Sequence, residues 1–133
     1  MILVDSAVWI DLLRNRDSVP VARLRALLDL GAAAATPVIV QEVLQGAAGP
    51  AAFAKLRQYF MGIPLLGASS AIDLYIAAAD LYAQSRWRGI APRSPNDCLI
   101  AAVAILENVP LLHDDRDFEQ LTAVEPQLKL LRR

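Results

Sequence analysis

Five short apolar runs, each too brief for a helix, recur along this chain with helix-length segments between them. "MILV" opens the sequence and is cut off by Asp5; "AAAAT", "IPLLG", "PLLHD" and "QLKLL" follow. Continuous apolar runs of this length suit strands covered on both faces, and such strands belong to parallel sheets joined by helical crossovers. Alanine has little strand preference, so "AAAAT" is assigned from its place between two helical segments. "SAVWIDLLR" reads as the start of a helix, with Ser6 as its cap. Val21, Leu24, Leu27 and Leu28 recur at helical spacing and Gly31 stops that run. "TPVIVQEVLQG" and "GPAAFAKLRQYFMG" each place a proline one residue after a capping position, Thr36 and Gly49. "SSAIDLYIAAADLYAQSRWRG" has a hydroxyl cap and a glycine stop, and "NDCLIAAVAILENV" is a mostly buried helix. Strands alternating with helices predict a three-layer α/β domain around a mostly parallel sheet.

The 133 residues fit one domain, residues 1–133, able to bury a core without covalent staples. Cys98 is the only cysteine, so no disulfide can form within the chain, which favours a reducing compartment. Asp5 and Asp11 interrupt any leader-like start, and no apolar run approaches the roughly 18 residues of a membrane span. The expectation is a soluble, cytoplasmic protein with no membrane partner. A net charge of −1 argues against gripping nucleic acid by bulk charge, but leaves room for a local basic rim. The hydrophobic fraction of 56%, inflated by alanine, leaves apolar surface for a partner, a dimer interface or both.

In open α/β sheets, ligands gather beyond the carboxyl ends of the strands. Asp5 follows the first strand there; Asp114 and Asp115 follow "PLLH", with Asp117 two residues on. Each acid has a plain structural reading. Asp97, taken alone, is an ordinary helix-start acid, and Ser94 three places earlier suits a capping box. Glu42 fits a solvated stripe beside Gln41 and Gln45, with Val38, Ile39 and Val43 turned inward. Asp5 is harder to explain this way, because a carboxylate ending a central strand is enclosed, and enclosure is costly without a cation or several donors. Three acids within four residues at 114–117 also repel one another unless something positive lies among them. A shared cation resolves all of these at once. Mg²⁺ or Mn²⁺ takes oxygen ligands, activates water and stabilises a phosphoryl transition state. One cysteine and one histidine supply neither a zinc set nor a histidine triad, and no GxxxxGK(S/T) or GxGxxG loop is present.

Four stretches in order, "VDSAVWI", "PVIVQEVLQG", "RSPNDCLIAAVAI" and "LLHDDRDFEQL", make the chain similar to the PIN-domain nucleases, in particular VapC-type toxins. The resemblance covers essentially the whole length. It implies a PIN-like three-layer α/β/α domain whose central, mostly parallel sheet has four to five strands. It also carries four principal acids onto Asp5, Glu42, Asp97 and Asp115, with Asp117 as an outer or occasional ligand. Ser6 matches a hydroxyl that supports the first aspartate, and Asn96 a polar residue beside the third. Asp114 falls at a variable place and is expected to face solvent. Ala7 departs from the serine or asparagine of many relatives. His113 stands where relatives carry threonine or another small polar residue, and is read as structural or solvent-facing rather than as a general base.

The implied activity is metal-dependent hydrolysis within an RNA chain, with Asp5, Asp97 and Asp115 holding Mg²⁺ or Mn²⁺. Glu42 either ligates metal or orients and deprotonates the attacking water. Candidate RNA contacts are Arg86, Arg88, Arg93, Arg14 and Arg116. Trp87 either stacks on a base or packs into the core. The family implies a homodimer and a VapB-type antitoxin, giving a heterotetramer or larger complex that binds operator DNA only through the antitoxin. Tyr59, Phe60 and Met61 are divided between that docking surface and the core. Two alternatives stand: a PIN-fold RNA-processing nuclease without an antitoxin, and a non-catalytic RNA- or protein-binding module.

Overall fold

The computed structural model describes residues 1–69, 71–92 and 94–131. The strands β1 (Ile2–Val4), β2 (Ala33–Ala34), β3 (Leu111–Leu112) and β4 (Leu130–Leu131) form one parallel sheet in the order β2-β1-β3-β4. Ile2 faces Ala33 across one ladder, and Val4 faces Leu112 across the other. A single parallel bridge, Ala35 to Leu65, extends the sheet beyond β2, where "IPLLG" was expected to add a strand. The small alanines of β2 are fully enclosed, so position and burial outweigh their weak strand preference.

Seven helices are described: α1 (Ser6–Leu13), α2 (Val19–Asp29), α3 (Pro37–Leu44), α4 (Pro50–Met61), α5 (Ala71–Trp87), α6 (Pro95–Leu106) and α7 (Arg116–Val124). The chain steps outward from β1 to β2 and Leu65, then returns to β3 and moves on to β4. Right-handed crossovers therefore put α1–α4 on one face and α5–α7 on the other. The packing of α1 on α2 and α3, and of α5 on α6 and α7, agrees. The result is a three-layer α/β/α fold.

Leu3, Val4, Ile39, Ile100, Leu111, Leu112, Phe118 and Leu121 form the fully buried centre. Every residue of α6 from Cys98 to Ala104 is buried, which accounts for its apolar composition. Trp9 ties α1 to the sheet: its Nε1–H donates to the Val4 carbonyl at 3.0 Å, and its ring meets Tyr59 and Phe60 edge-on. Of the Tyr59–Met61 trio only Phe60 is core; Met61 is exposed and Tyr59 borders exposure.

One capping assignment changes. Asp5, not Ser6, is the residue before α1, and Ser6 is the first helical position. The hydroxyl cap expected before α5 involves Ser70, which lies outside the described residues. Thr36 and Gly49 do precede α3 and α4, each followed by its proline. Among the described residues no helix is long and apolar enough to cross a membrane.

Candidate metal centre

Because all four strands run the same way, their carboxyl ends share one edge of the sheet. Asp5 leaves β1 there and is only 4% exposed. Its carboxyl is pushed up to about 7, first by burial, then by the Asp97 charge, with Glu42 adding to it. The nearby Ser6 and Ala7 amides pull the other way, without closing a capping hydrogen bond. Glu42 reaches in from α3. Burial raises its pKa, while the polar side chains of Ser6 and Asn96 beside it favour its charged form. Its Oε1 is buried and, among the described residues, has no hydrogen-bond partner. Ser6 and Asn96 thus sit where supporting residues would.

Asp97 is the third residue of α6. The helix starts cleanly because Ser94 Oγ accepts the Asn96 amide at 3.1 Å and Pro95 needs no donor partner. That start aims Asp97 at the sheet edge. Asp115 precedes α7 and its Oδ1 accepts the Asp117 amide at 3.0 Å. Asp97, Asp115 and Asp117 can each offer one carboxylate oxygen with all three atoms within 4.8 Å of one another. Asp117, expected at the margin, belongs to this tight trio. Asp114 is half-buried instead of facing solvent.

The residues present fit a hard divalent cation. The donors are all carboxylate oxygens, and the Asp5 carboxyl is enclosed against two other acids, where a positive charge would offset the repulsion. No thiolate competes, since burial and Asp97 push the Cys98 thiol up to about 11.

The expected RNA contacts spread wider. Arg86 and Trp87 end α5 and Arg88 follows them; Trp87 is 75% exposed, which rules out core packing. Arg86 shares a cleft with Tyr75, Tyr82 and Asn96, and Asn96 connects that cleft to Glu42. Arg88 Nη1 donates to the Ala123 carbonyl at 3.2 Å. Arg116 is exposed between Asp115 and Asp117. Arg14 lines a groove with Ile10, Leu13, Val43 and Leu56, and none of the acid trio lines that groove. Its neighbour Arg16 pairs with Asp11 at 3.4 Å. Arg93 is outside the described residues. Of the two places expected for His113, structural or solvent-facing, the structure shows the first: it is buried and its Nδ1 accepts the Asp115 amide at 3.1 Å. Its place two residues before Asp115 repeats the Asp115–Asp117 spacing, a signal available in the sequence.

Fold and site together define an α/β/α protein with an acidic, oxygen-only candidate metal centre at the carboxyl edge of a parallel sheet. The PIN-domain profile matches residues 2–124, and the chain belongs to the PIN-domain family. Within that family it is VapC-like. Ribonuclease VapC11 of Mycobacterium tuberculosis is 36% identical over 126 residues, 93% of each chain. VapC ribonuclease Mb1587 of Mycobacterium bovis matches equally. A chain in the crystal structure of VapBC2 from Rickettsia felis, bound to a promoter DNA fragment, superposes with a TM-score of 0.75 at 20% identity. That match covers 100% of this chain and 99% of the other. VapBC-1 from nontypeable Haemophilus influenzae gives 0.73 at 20% identity, covering 99% and 98%.

Proposed function

We propose that this protein is a metal-dependent endoribonuclease, the toxin of a type II toxin–antitoxin pair. It cuts a structured RNA such as transfer or ribosomal RNA in the cytoplasm and so arrests translation and growth. The observation that carries this reading is the convergence of Asp97, Asp115 and Asp117 beside Asp5 and Glu42. Asp5, Asp97, Asp115 and Asp117 would hold Mg²⁺ or Mn²⁺, which lowers the pKa of bound water and offsets charge on the phosphoryl group. Glu42 Oε1, buried and without a partner among the described residues, accepts the proton of the attacking water, and its raised pKa suits it to that task. The water oxygen bonds to phosphorus, the P–O3′ bond breaks and O3′ takes up a proton. The ends are a 5′-phosphate and a 3′-hydroxyl. Ser6 and Asn96 hold Glu42 in place. Arg86, Arg88 and Arg116 bind flanking phosphates, and exposed Trp87 stacks on an unpaired base.

The groove of about 420 Å³ lined by Ile10, Leu13, Val43 and Leu56, with Arg14 and Lys55 in its lining, suits an amphipathic antitoxin segment. Ile72, Tyr75 and Ile76 make an exposed apolar face on α5 that suits a second copy of the chain. Operator DNA would be bound only through a VapB-type antitoxin, in a heterotetramer or larger assembly.

The test is cleavage of total RNA by the purified protein, freed of antitoxin, with Mg²⁺, with Mn²⁺ and with chelator, beside Asp97→Asn. Discrete fragments that need metal and vanish in the variant are expected. Folded protein that is silent across several RNA sources and both metals would overturn the reading in favour of a binding module.

A further inference from the structure

We propose that His113 is a positioning residue for the acidic centre: its Nδ1 receives the Asp115 amide and so sets the direction of the Asp115 carboxylate. The inference rests on the metal-centre reading. Two bonds of the same i to i+2 form run in series along the β3–α7 turn. The Asp115 amide donates to His113 Nδ1 at 3.1 Å, and the Asp117 amide donates to Asp115 Oδ1 at 3.0 Å. The imidazole thus does for Asp115 what Asp115 does for Asp117. With Oδ1 accepting the Asp117 amide, the position of the Asp115 backbone helps to set where the carboxylate points. That backbone is tethered by a ring which is itself fixed, 4% exposed and tilted 60° against Phe118 at 5.5 Å.

An Nδ1 that accepts has a free lone pair, so the ring is neutral and its proton is on Nε2. Nε2 is buried and, among the described residues, has no hydrogen-bond partner. The polar side of the ring facing inward therefore gains nothing, and an aliphatic side chain would fill the space at lower desolvation cost. The acceptor at Nδ1 is what distinguishes histidine from such a filler.

Three substitutions separate positioning from packing. His113→Asn keeps an acceptor oxygen one bond from Cγ, where Nδ1 is. His113→Gln moves the acceptor one bond further out, and His113→Leu keeps apolar bulk with no acceptor. Two readouts apply: hydrogen-exchange protection of the Asp115 amide in metal-free protein, and affinity for Mn²⁺ alone measured by titration. The expected result is lost protection and roughly tenfold weaker Mn²⁺ binding in the Leu and Gln variants. The Asn variant should retain protection and bind within about threefold of the parent, despite its smaller volume. Full protection and affinity in the Leu variant, or an Asn variant as impaired as Gln, would overturn the proposal. If the Leu variant does not fold, the Asn–Gln pair still decides. A parent that binds no Mn²⁺ would defeat the metal-centre reading, and with it the role given to His113. Loss of amide protection in that case would identify a turn cap only.

Discussion

At Asp5 a carboxylate is held where ionisation is opposed by burial and by two neighbouring acids. Its pKa is about 7 in the folded protein against 3.8 for the ordinary side chain. Below pH 4 both folded and unfolded states hold the proton, and the stabilising contribution is full. Between pH 4 and 7 the unfolded chain has released it and the folded chain has not, so stability falls as pH rises, by up to about 4 kcal/mol. With chelator present, the Tm should therefore drop between pH 5 and pH 8, and Asp5→Asn should flatten that slope. Mg²⁺ or Mn²⁺ should restore the Tm at pH 8. Asp97→Asn should lower RNA cleavage by on the order of 100-fold or more while leaving the metal-free Tm equal or higher, since one repulsive charge is gone. These acids were legible because a charge ending an apolar strand, or opening an apolar helix, has few structural excuses. The part played by His113 was not, since a lone histidine after a strand fits core and surface equally until its Nδ1 contact is known.

The elements were readable to the extent that their ends carry chemistry. Proline after a cap marked α3 and α4, and acids cut β1 and β3 short. What the pattern could not separate was Trp87 from core or Phe60 from surface, because α5 and α4 carry apolar residues on more than one face. The turn into α5 depends on Gly67, whose φ is +73° and whose amide donates to Glu107 Oε1 at 3.3 Å. A Cβ there would lie 2.9 Å from Leu74 Cδ1 and 3.1 Å from Val103 Cγ2, wedging α5 away from α6. Gly67→Ala should thus cost about 2 kcal/mol or more from combined strain and overpacking, read as a lower urea midpoint.

On the scale of the molecule, two of the exposed apolar surfaces suit the partners proposed above. One is the α5 face, where Ile72 is 71% exposed and Tyr75 and Ile76 each 61%. Ile76→Asp should leave the Tm nearly unchanged and, by light scattering, give the mass of one chain where the parent gives two. The other is the α1–α3–α4 groove. Leu13→Glu should abolish co-purification with the antitoxin while sparing the mass and the RNA cleavage of the free protein, because Leu13 lines this groove and none of the acid trio does. Equal binding by that variant would place the antitoxin elsewhere.

The ladder joining Val4 to Leu112 bears on synthesis as well as on architecture. Ribosomes deliver the chain from its amino end, so Asp5 and Glu42 emerge long before the strand that lies against β1 exists. Until β3 and the start of α7 have left the exit tunnel, Asp115 and Asp117 are missing and the acidic trio cannot form. On the proposed function, a chain stopped short of β3 should leave the RNA that is making it uncut.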